Sequence, residues 1–411
     1  MGVTDVFFNP LAEGYTADPW PHFAELREHD PVHKSLIERY FLFRYDDVTK
    51  LLRDPTLSVD DANIDHHDAD RLDAFERAFE DVEDDKSMLG LDAPDHTRLR
   101  RLVSKAFTPT AIAALRPMVE RMVEERLDDM AAEVAANGAA DVVTGLAWPL
   151  PFDVISEMLG MPPSETAQVA EWSGAMVKTL DPIISEGEVF AAAAASSAMR
   201  RHLGEVIEWK RANPADDLLS ALIAVEEDGD RLAPNELRAQ VTLLFIAGHE
   251  TTVNLIGTGI HELLRRPEQA AILRDDADLD ANAVDELLRF VSPVQFSRRI
   301  TLADVEIGEG AQRALVEKGT FVMAGLASAN HDHEKWGPTA DELDVRREGA
   351  GQHVSFGSGS HYCLGASLAK LEAQVAIGRF LRRFPGAAHA GEPTWNGRIN
   401  LRGLDHLPVT L

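Results

Sequence analysis

Apolar residues recur at helical spacing along most of the chain, and runs with the period of a strand are few and short. Within RPMVERMVEERLDDMAAEVAA the apolar positions from Met118 to Val134 fall on one helical stripe. DHTRLRRLVSKAF predicts a helix that opens on Asp95 as its cap and stops at Thr108-Pro109. FAAAAASSAMRRHLGEVIEWKRA reads as a further helix, whose alanines suit close helix packing. The longest pattern runs from Leu237 to Leu264 and ends before Arg266-Pro267. A shorter one covers Ala283 to Phe290 and is stopped by Ser292-Pro293. The last spans Cys363 to Phe384, with Leu364, Leu368, Leu371 and Val375 on one face. Strands are expected at Val32 to Ile37 and Tyr40 to Arg44 around a tight turn, and again in RRITLADVEIG and GTFVMAGLASAN. No internal repeat or Gly/Ser-rich linker divides the sequence. The expectation is therefore a mainly α fold with small β-sheets, forming a single large domain over residues 1–411. Its β-containing N-terminal part covers about 1–60 and its helical core about 95–290 and 363–384.

Composition narrows the function. The chain has 411 residues, 45% of them hydrophobic, and a formal net charge of −29. Binding a nucleic-acid duplex or an anionic membrane calls for a basic stripe, and this balance argues against both. One cysteine cannot close an intrachain disulfide, so the fold does not require an oxidising compartment. The N-terminus lacks the pattern of a signal peptide. The most apolar segment, Val241 to Gly248, is far short of the ~18 residues a membrane span needs. A soluble, cytoplasmic, monomeric protein without a membrane anchor is expected.

Several short stretches carry candidate chemistry. In FIAGHETTVNL, Gly248, His249, Glu250, Thr251 and Thr252 interrupt an apolar helix over more than a full turn, which predicts a bend or broadening beside a bound group. His249-Glu250 begins like a zinc-protease motif, but Val253 stands where the second histidine belongs. The His66-His67 pair, with Asp65 and Asp68, reads as a solvated loop, and His331 with His333 in NHDHEKW as a surface turn. Glu286 and Arg289 in DELLRF share a helical face. Cys363 sits in FGSGSHYCLG, ahead of an amphipathic helix and among Gly357, Gly359 and Gly365. A helix N-terminus and inward-turned amides favour a thiolate there. Such a thiolate is either a nucleophile, with His361 as its base, or an axial ligand to haem iron.

FGSGSHYCLG resembles the haem-binding loop of the cytochrome P-450 family at every fixed position. AGHETT resembles that family's oxygen-activation segment, and ELLR its E-x-x-R motif. The three stand in the family's order and spacing, with similar layout from about Asp18 to the C-terminus, and the soluble bacterial branch is the one resembled. The resemblance implies a haem b held between the long central helix and the Cys-loop helix. It makes Cys363 the iron ligand, with Phe356 packed beside the sulfur and Gly365 in the same loop. His361, His96, Arg100 and Arg299 would bind the propionates. Glu250 and Thr251 correspond to the acid–alcohol pair of proton delivery, while Ala247 and Gly248 leave room for oxygen. Two departures stand out. Glu342 in ADELDVRR occupies the place where an arginine partner of the Glu286–Arg289 pair is expected, and IGEGAQRALVEKGT is longer than the usual turn and lacks its proline.

The activity so implied is haem-thiolate monooxygenation. O2 is the co-substrate, and NAD(P)H acts indirectly through a ferredoxin reductase and ferredoxin. A basic patch of Arg98, Arg101, Lys105, Arg346 and Arg347 would meet the ferredoxin. A peroxide-driven peroxygenase and a non-catalytic haem-binding carrier or sensor are the alternatives. The substrate pocket implied by the family draws on Met88, Leu89, Leu243, Leu244, Ala247, Val294, Gln295, Phe296 and the C-terminal GRINL segment. Its apolar character suits a terpenoid, steroid, fatty acid or polyketide-like molecule. Gln295 either orients a polar group of that molecule or points to solvent.

Overall fold

Helices form where the 3.6-residue periodicity is strongest. The computed structural model describes residues 6–35, 39–64, 75, 77–80, 86–105, 107–161, 166–227 and 230–411. The helices that matter below are α1 (Trp20–His29), α2 (Tyr45–Arg53), α3 (Asp95–Ser104), α4 (Pro109–Ala114), α5 (Arg116–Asn137), α6 (Pro149–Leu159), α7 (Thr166–Val177), α8 (Glu186–Ala212), α9 (Leu218–Ala224), α10 (Pro234–Gly248), α11 (Glu250–Leu264), α12 (Pro267–Asp275), α13 (Asp280–Val291) and α14 (Ala366–Arg383). Among the described residues no helix is long and apolar enough to cross a membrane. The His66-His67 stretch lies outside the described residues.

Local chemistry fixes several boundaries. Ser185 and Glu188 close a capping box at the start of α8, each side chain bonding the other residue's amide. Those bonds hold the Glu188 carboxyl at about 2. At α3 the expected cap does not form: Pro94 occupies the cap position and Asp95 is already inside the helix without a side-chain cap bond. Thr108 both ends that segment and caps α4, its hydroxyl accepting from Ala111 N. The long helix expected over Leu237 to Leu264 is two helices meeting at His249. There the Thr251 hydroxyl donates to Ala247 O (2.9 Å) and the Thr252 hydroxyl to Gly248 O (3.1 Å). Hydroxyls that bond back onto a helix's carbonyls bend it, which accounts for the break.

Strands β1 (Val32–Lys34), β2 (Tyr40–Leu42), β3 (Leu57–Ser58), β7 (Phe296–Thr301) and β10 (Phe321–Gly325) form one sheet in the order β1-β2-β10-β7-β3. All its neighbours are antiparallel except β2 and β10. The remaining strands form small pairs and a triplet, including β4 (Ala140–Asp141) and, at the C-terminus, β13 (Leu404–His406) and β14 (Pro408–Thr410). The largest apolar core lies where α5, α11, α13 and α14 meet, through Leu127, Ile260, Leu287, Ile377 and Phe380. A second core joins α3, α6, α8 and α10. Phe8, Phe23, Phe41, Phe43 and Phe296 form an aromatic cluster under the sheet.

Inside α13, Glu286 and Arg289 are fully buried. Arg289 grips the Glu286 carboxylate through Nε (2.7 Å) and Nη2 (2.8 Å). Its remaining N–H groups reach the carbonyls of Asn330, Ala340 and Glu342. The third partner is Arg347, whose Nε donates to Glu286 Oε1 at 3.0 Å. The Asp344 amide adds a further bond to the same oxygen. Glu342 contributes its backbone carbonyl, not its side chain. Arg347 is consequently buried and is no part of a surface patch. His331 also departs from the expected surface turn: it is buried, stacks on Trp20 at 4.0 Å and bonds Phe290 O.

Breaking a buried, fully bonded ion network by neutralising its shared anion costs about 3–5 kcal/mol. Glu286→Gln is therefore expected to lower stability by that order, read from the denaturation midpoint in urea. In α14 the buried Glu372 carboxyl is pushed up to about 8 by desolvation, and its Oε2 has no partner. The folded state thus binds a proton that the unfolded chain releases near pH 4.5. Its stabilising effect is complete below that pH and is lost as pH rises toward 8. Glu372→Gln is expected to flatten the fall in thermal midpoint across this range.

Candidate active site

The Cys363 loop is held from below by the α13 network. Ser292, the one non-glycine residue with positive φ (41°) among the described residues, ends α13. Its hydroxyl bonds back to Arg289 O, and Asn330 Nδ2 donates to it at 2.9 Å. Asn330 also reaches Ser355 Oγ (2.8 Å) and accepts from Val354 N (2.9 Å), fixing the segment that leads into the loop. The loop closes on itself through Cys363 N donating to Phe356 O at 2.9 Å. Gly359 combines a φ of +75° with close approach to the end of α2: a Cβ there would lie 2.7 Å from Leu52 O. Only glycine meets both conditions.

Cys363 is free and partly buried. Its sulfur accepts from the Gly365 and Ala366 amides at the start of α14 and faces the Arg100 charge, all of which favour the thiolate. Burial outweighs them and pushes the thiol up. Phe356 is half-buried, with its ring 5.5 Å from His353 and 6.2 Å from Tyr362. A Cβ at Gly365 would meet no protein atom within 4 Å.

Beside the loop, four expected residues from three segments converge: His96 and Arg100 from α3, Arg299 from β7 and His361 from the loop itself. His96 and His361 lie ring to ring at 4.0 Å, and Arg100 Nη2 donates to Tyr362 O at 2.5 Å. Arg299, buried in β7, reaches Leu52 O. Burial, then the His96 and Arg299 charges, lower His361 to about 4, and burial lowers Arg299 to about 10. The one acid felt by this group is Asp92, which is already engaged by Ser58 and the Val59 amide. His96 Nε2 is buried without a partner. Such a set is electrostatically incomplete and calls for anionic oxygens.

Across the site, Leu243, Leu244, Ala247 and Thr251 form an incompletely covered stripe on α10 and α11. The opposite face, with Val241, Phe245 and His249, is buried. His249 Nε2 donates to Trp148 O (2.9 Å), turned away from the stripe. Gly248 does not serve the stripe either. A Cβ at that position would lie 2.7 Å from Ile155 Cδ1, so its smallness admits α6. Glu250 is buried and paired with Arg398, and burial pushes its carboxyl up against the Arg398 charge. Arg398 belongs to the GRINL segment, but nothing in the sequence signals that it pairs with Glu250.

The pocket residues divide. Leu89 is exposed, while Met88 is buried with its amide on Gln240 Oε1. Val294 is half-buried and bridges to Leu401. Phe296 belongs to the aromatic core under the sheet instead of lining a pocket, and Ile399 of GRINL joins the same cluster. Gln295 is buried, so it does not point to solvent; its Nε2 donates to Ser292 O and its Oε1 lacks a partner. The basic patch shrinks as well. Arg98 pairs with Glu236 and Asp230, and with Arg347 buried the exposed members of the five are Arg101, Lys105 and Arg346. No cluster of three or more His, Cys, Asp or Glu able to hold a metal occurs among the described residues.

Residues 188–395 match the family model for cytochrome P450. Cytochrome P450 107B1 of Saccharopolyspora erythraea is 39% identical over 406 residues, covering 97% of this chain and 96% of its own. The chain belongs to the cytochrome P450 family. This P450 is also 38% identical to the cytochrome P450 monooxygenase PikC of Streptomyces venezuelae, over 97% of this chain and 92% of that one. The solved structure of the bacillaene polyketide synthase cytochrome P450 PksS of Bacillus subtilis superimposes with a TM-score of 0.87. That match is 33% identical over 98% of this chain and 100% of that one. The family implies a haem and use of O2. The residues present fit it: one thiol framed by amides, and an unsatisfied cationic cluster sized for two carboxylates.

Because Gly359 lies in the left-handed region, Gly359→Ala is expected to cost about 1–2 kcal/mol from backbone strain. The contact with Leu52 O adds to this, and the loss is read as a lower thermal midpoint of the holoenzyme.

Proposed function

We propose that this P450 hydroxylates or epoxidises a hydrophobic, polyketide-like small molecule, using O2 and two electrons from a ferredoxin-type partner. NAD(P)H would be oxidised by the partner's reductase. The observation that carries this reading is the apolar stripe Leu243-Leu244-Ala247, which ends on the hydroxyl of Thr251 with the acid Glu250 directly behind it. The similarity to PksS, a polyketide biosynthesis cytochrome P450, supports the substrate class. Arg101, Lys105 and Arg346 supply the positive docking charge on an otherwise acidic protein.

In this reading Cys363 ligates the iron of haem b. His96, His361, Arg100 and Arg299 hold its propionates, which satisfies His96 Nε2 and neutralises the cluster. Phe356 flanks the sulfur, and Gly365 lets the backbone approach. When bound, the haem supplies the redox centre at which O2 is activated, with the axial thiolate favouring cleavage of the O–O bond. Ala247 keeps the adjoining space open for that oxygen. Thr251 donates its own proton to Ala247 O, so its lone pairs are free to accept a hydrogen bond and hold a water, which carries the proton, at the end of the stripe. Glu250, its carboxyl raised by burial, is poised to hold and release a proton. Leu243, Leu244 and Val294 offer the substrate apolar contact, and the unpartnered Oε1 of Gln295 accepts a hydrogen bond.

Thr251→Ala removes the hydroxyl while leaving the apolar stripe in place. Electron consumption is expected to persist, with most of the electrons appearing as hydrogen peroxide in place of hydroxylated product. The ratio of product to NAD(P)H consumed checks this, with ligands drawn from a hydrophobic library by displacement of the iron-bound water. Full coupling in the variant would remove Thr251 from proton delivery.

A further inference from the structure

Glu250 is connected to the segment between α7 and α8 through residues 398–400 of the GRINL segment and through Asp181, which lies in none of the sequence motifs. Asp181 lies in that segment, buried, while Leu180 and Ile183 close to it are exposed at 38% and 55%. Its Oδ1 accepts two backbone amides from the C-terminal hairpin, Ile399 N (3.0 Å) and Asn400 N (2.7 Å). Asn400 returns a bond from Nδ2 to Leu180 O (3.1 Å). The residue before Ile399 is Arg398, whose amide is tied to Asn396 Oδ1 and whose guanidinium holds Glu250. Asn400 is anchored on the other side to β7, its Oδ1 accepting Phe296 N and its carbonyl accepting Gln295 N. Residues 398–400 are therefore a short, well-bonded bridge with the α7–α8 segment at one end and Glu250 at the other. A cavity of about 90 Å³, lined by Thr144, Glu250, Asn254, Arg398 and Asp405 among others, lies beside the ion pair.

We propose that Asp181 and Arg398 form a latch that makes the position of Glu250 depend on the α7–α8 segment. Arg398 is the positioning residue: while Asp181 holds the hairpin, the guanidinium pins the Glu250 carboxylate at the cavity. When the segment lifts, the 398–400 bridge relaxes and the carboxylate is released. An apolar molecule resting on Leu180 and Ile183 would act on the latch directly, linking substrate entry to proton supply. This deepens the role given to Glu250 above and rests on it.

The test uses the holoenzyme and two readouts, neither of which needs a substrate. The first is hydrogen–deuterium exchange at the Ile399, Asn400 and Asp181 amides. The second is the solvent isotope effect on reoxidation of the dithionite-reduced protein by air. Asp181→Ala is expected to speed exchange at Ile399 and Asn400 at least tenfold and to change the isotope effect as Arg398→Ala does. The double variant should be no further from wild type than Arg398→Ala alone. Asp181→Asn keeps an acceptor oxygen and should stay near wild type in both readouts, as should Arg398→Lys in the isotope effect. Faster exchange in Asp181→Ala with a wild-type isotope effect would overturn the latch, and so would additive effects in the double variant. If Glu250→Gln itself leaves the isotope effect unchanged, the proton role of Glu250 fails instead. The latch then stands or falls on whether Arg398→Ala speeds exchange at the Asp181 amide.

Discussion

A single buried carboxylate, Glu286, accepts from two guanidiniums and a backbone amide, and the rest of the site is referenced to it. Three donors on one side chain leave it no freedom. Arg289 and Arg347 then spend their other N–H groups on carbonyls of residues 330 to 342. The irregular segment before the Cys363 loop is thereby fixed without helix or sheet. A buried ion network gains little net stability over apolar packing, and its worth here is geometric. Through Ser292, Asn330 and Ser355 it transmits the position of α13 to the loop, and through the common core it sets that loop against α14.

The site itself is charged in a lopsided way. His96, Arg100, Arg299 and His361 crowd together with the Asp92 carboxylate opposite, and burial depresses all four basic groups. Protein interiors seldom tolerate such a group unless an anion completes it. On the sulfur side the imbalance is reversed, since burial pushes the thiol up against two amides and the Arg100 charge. Both imbalances would be resolved by one ligand that brought a cation to the sulfur and carboxylates to the histidines. The family assignment and the electrostatics therefore point to the same group from independent directions.

What could be read from the sequence was whatever lies in contiguous stretches. The helices follow from periodicity, the bend at His249 from polar residues in an apolar run, and the Cys363 loop from its glycines. The misses share a cause: they depend on partners distant in sequence. Arg347 was placed on the surface because nothing in VRR shows that Glu286, 61 residues earlier, is waiting for it. The family resemblance implies Phe296 at the pocket, yet Phe8, Phe23 and Phe41 surround it. Gly248 suggested space for oxygen, and Ile155 takes that space. Arg398 sits in a polar turn near the C-terminus, 148 residues from the acid it holds. His331 looked like one of several charged residues in a turn until Trp20 was found stacked on it.

The solitary thiol has a practical side. With Cys363 taken up by iron in the reading proposed above, the loaded protein would present no competing sulfhydryl, and no background cysteine would need to be removed. A cysteine introduced on the exposed α7–α8 segment would then be the unique target for a maleimide dye or nitroxide label. Distances from that label to the paramagnetic iron could be followed in solution as ligands come and go.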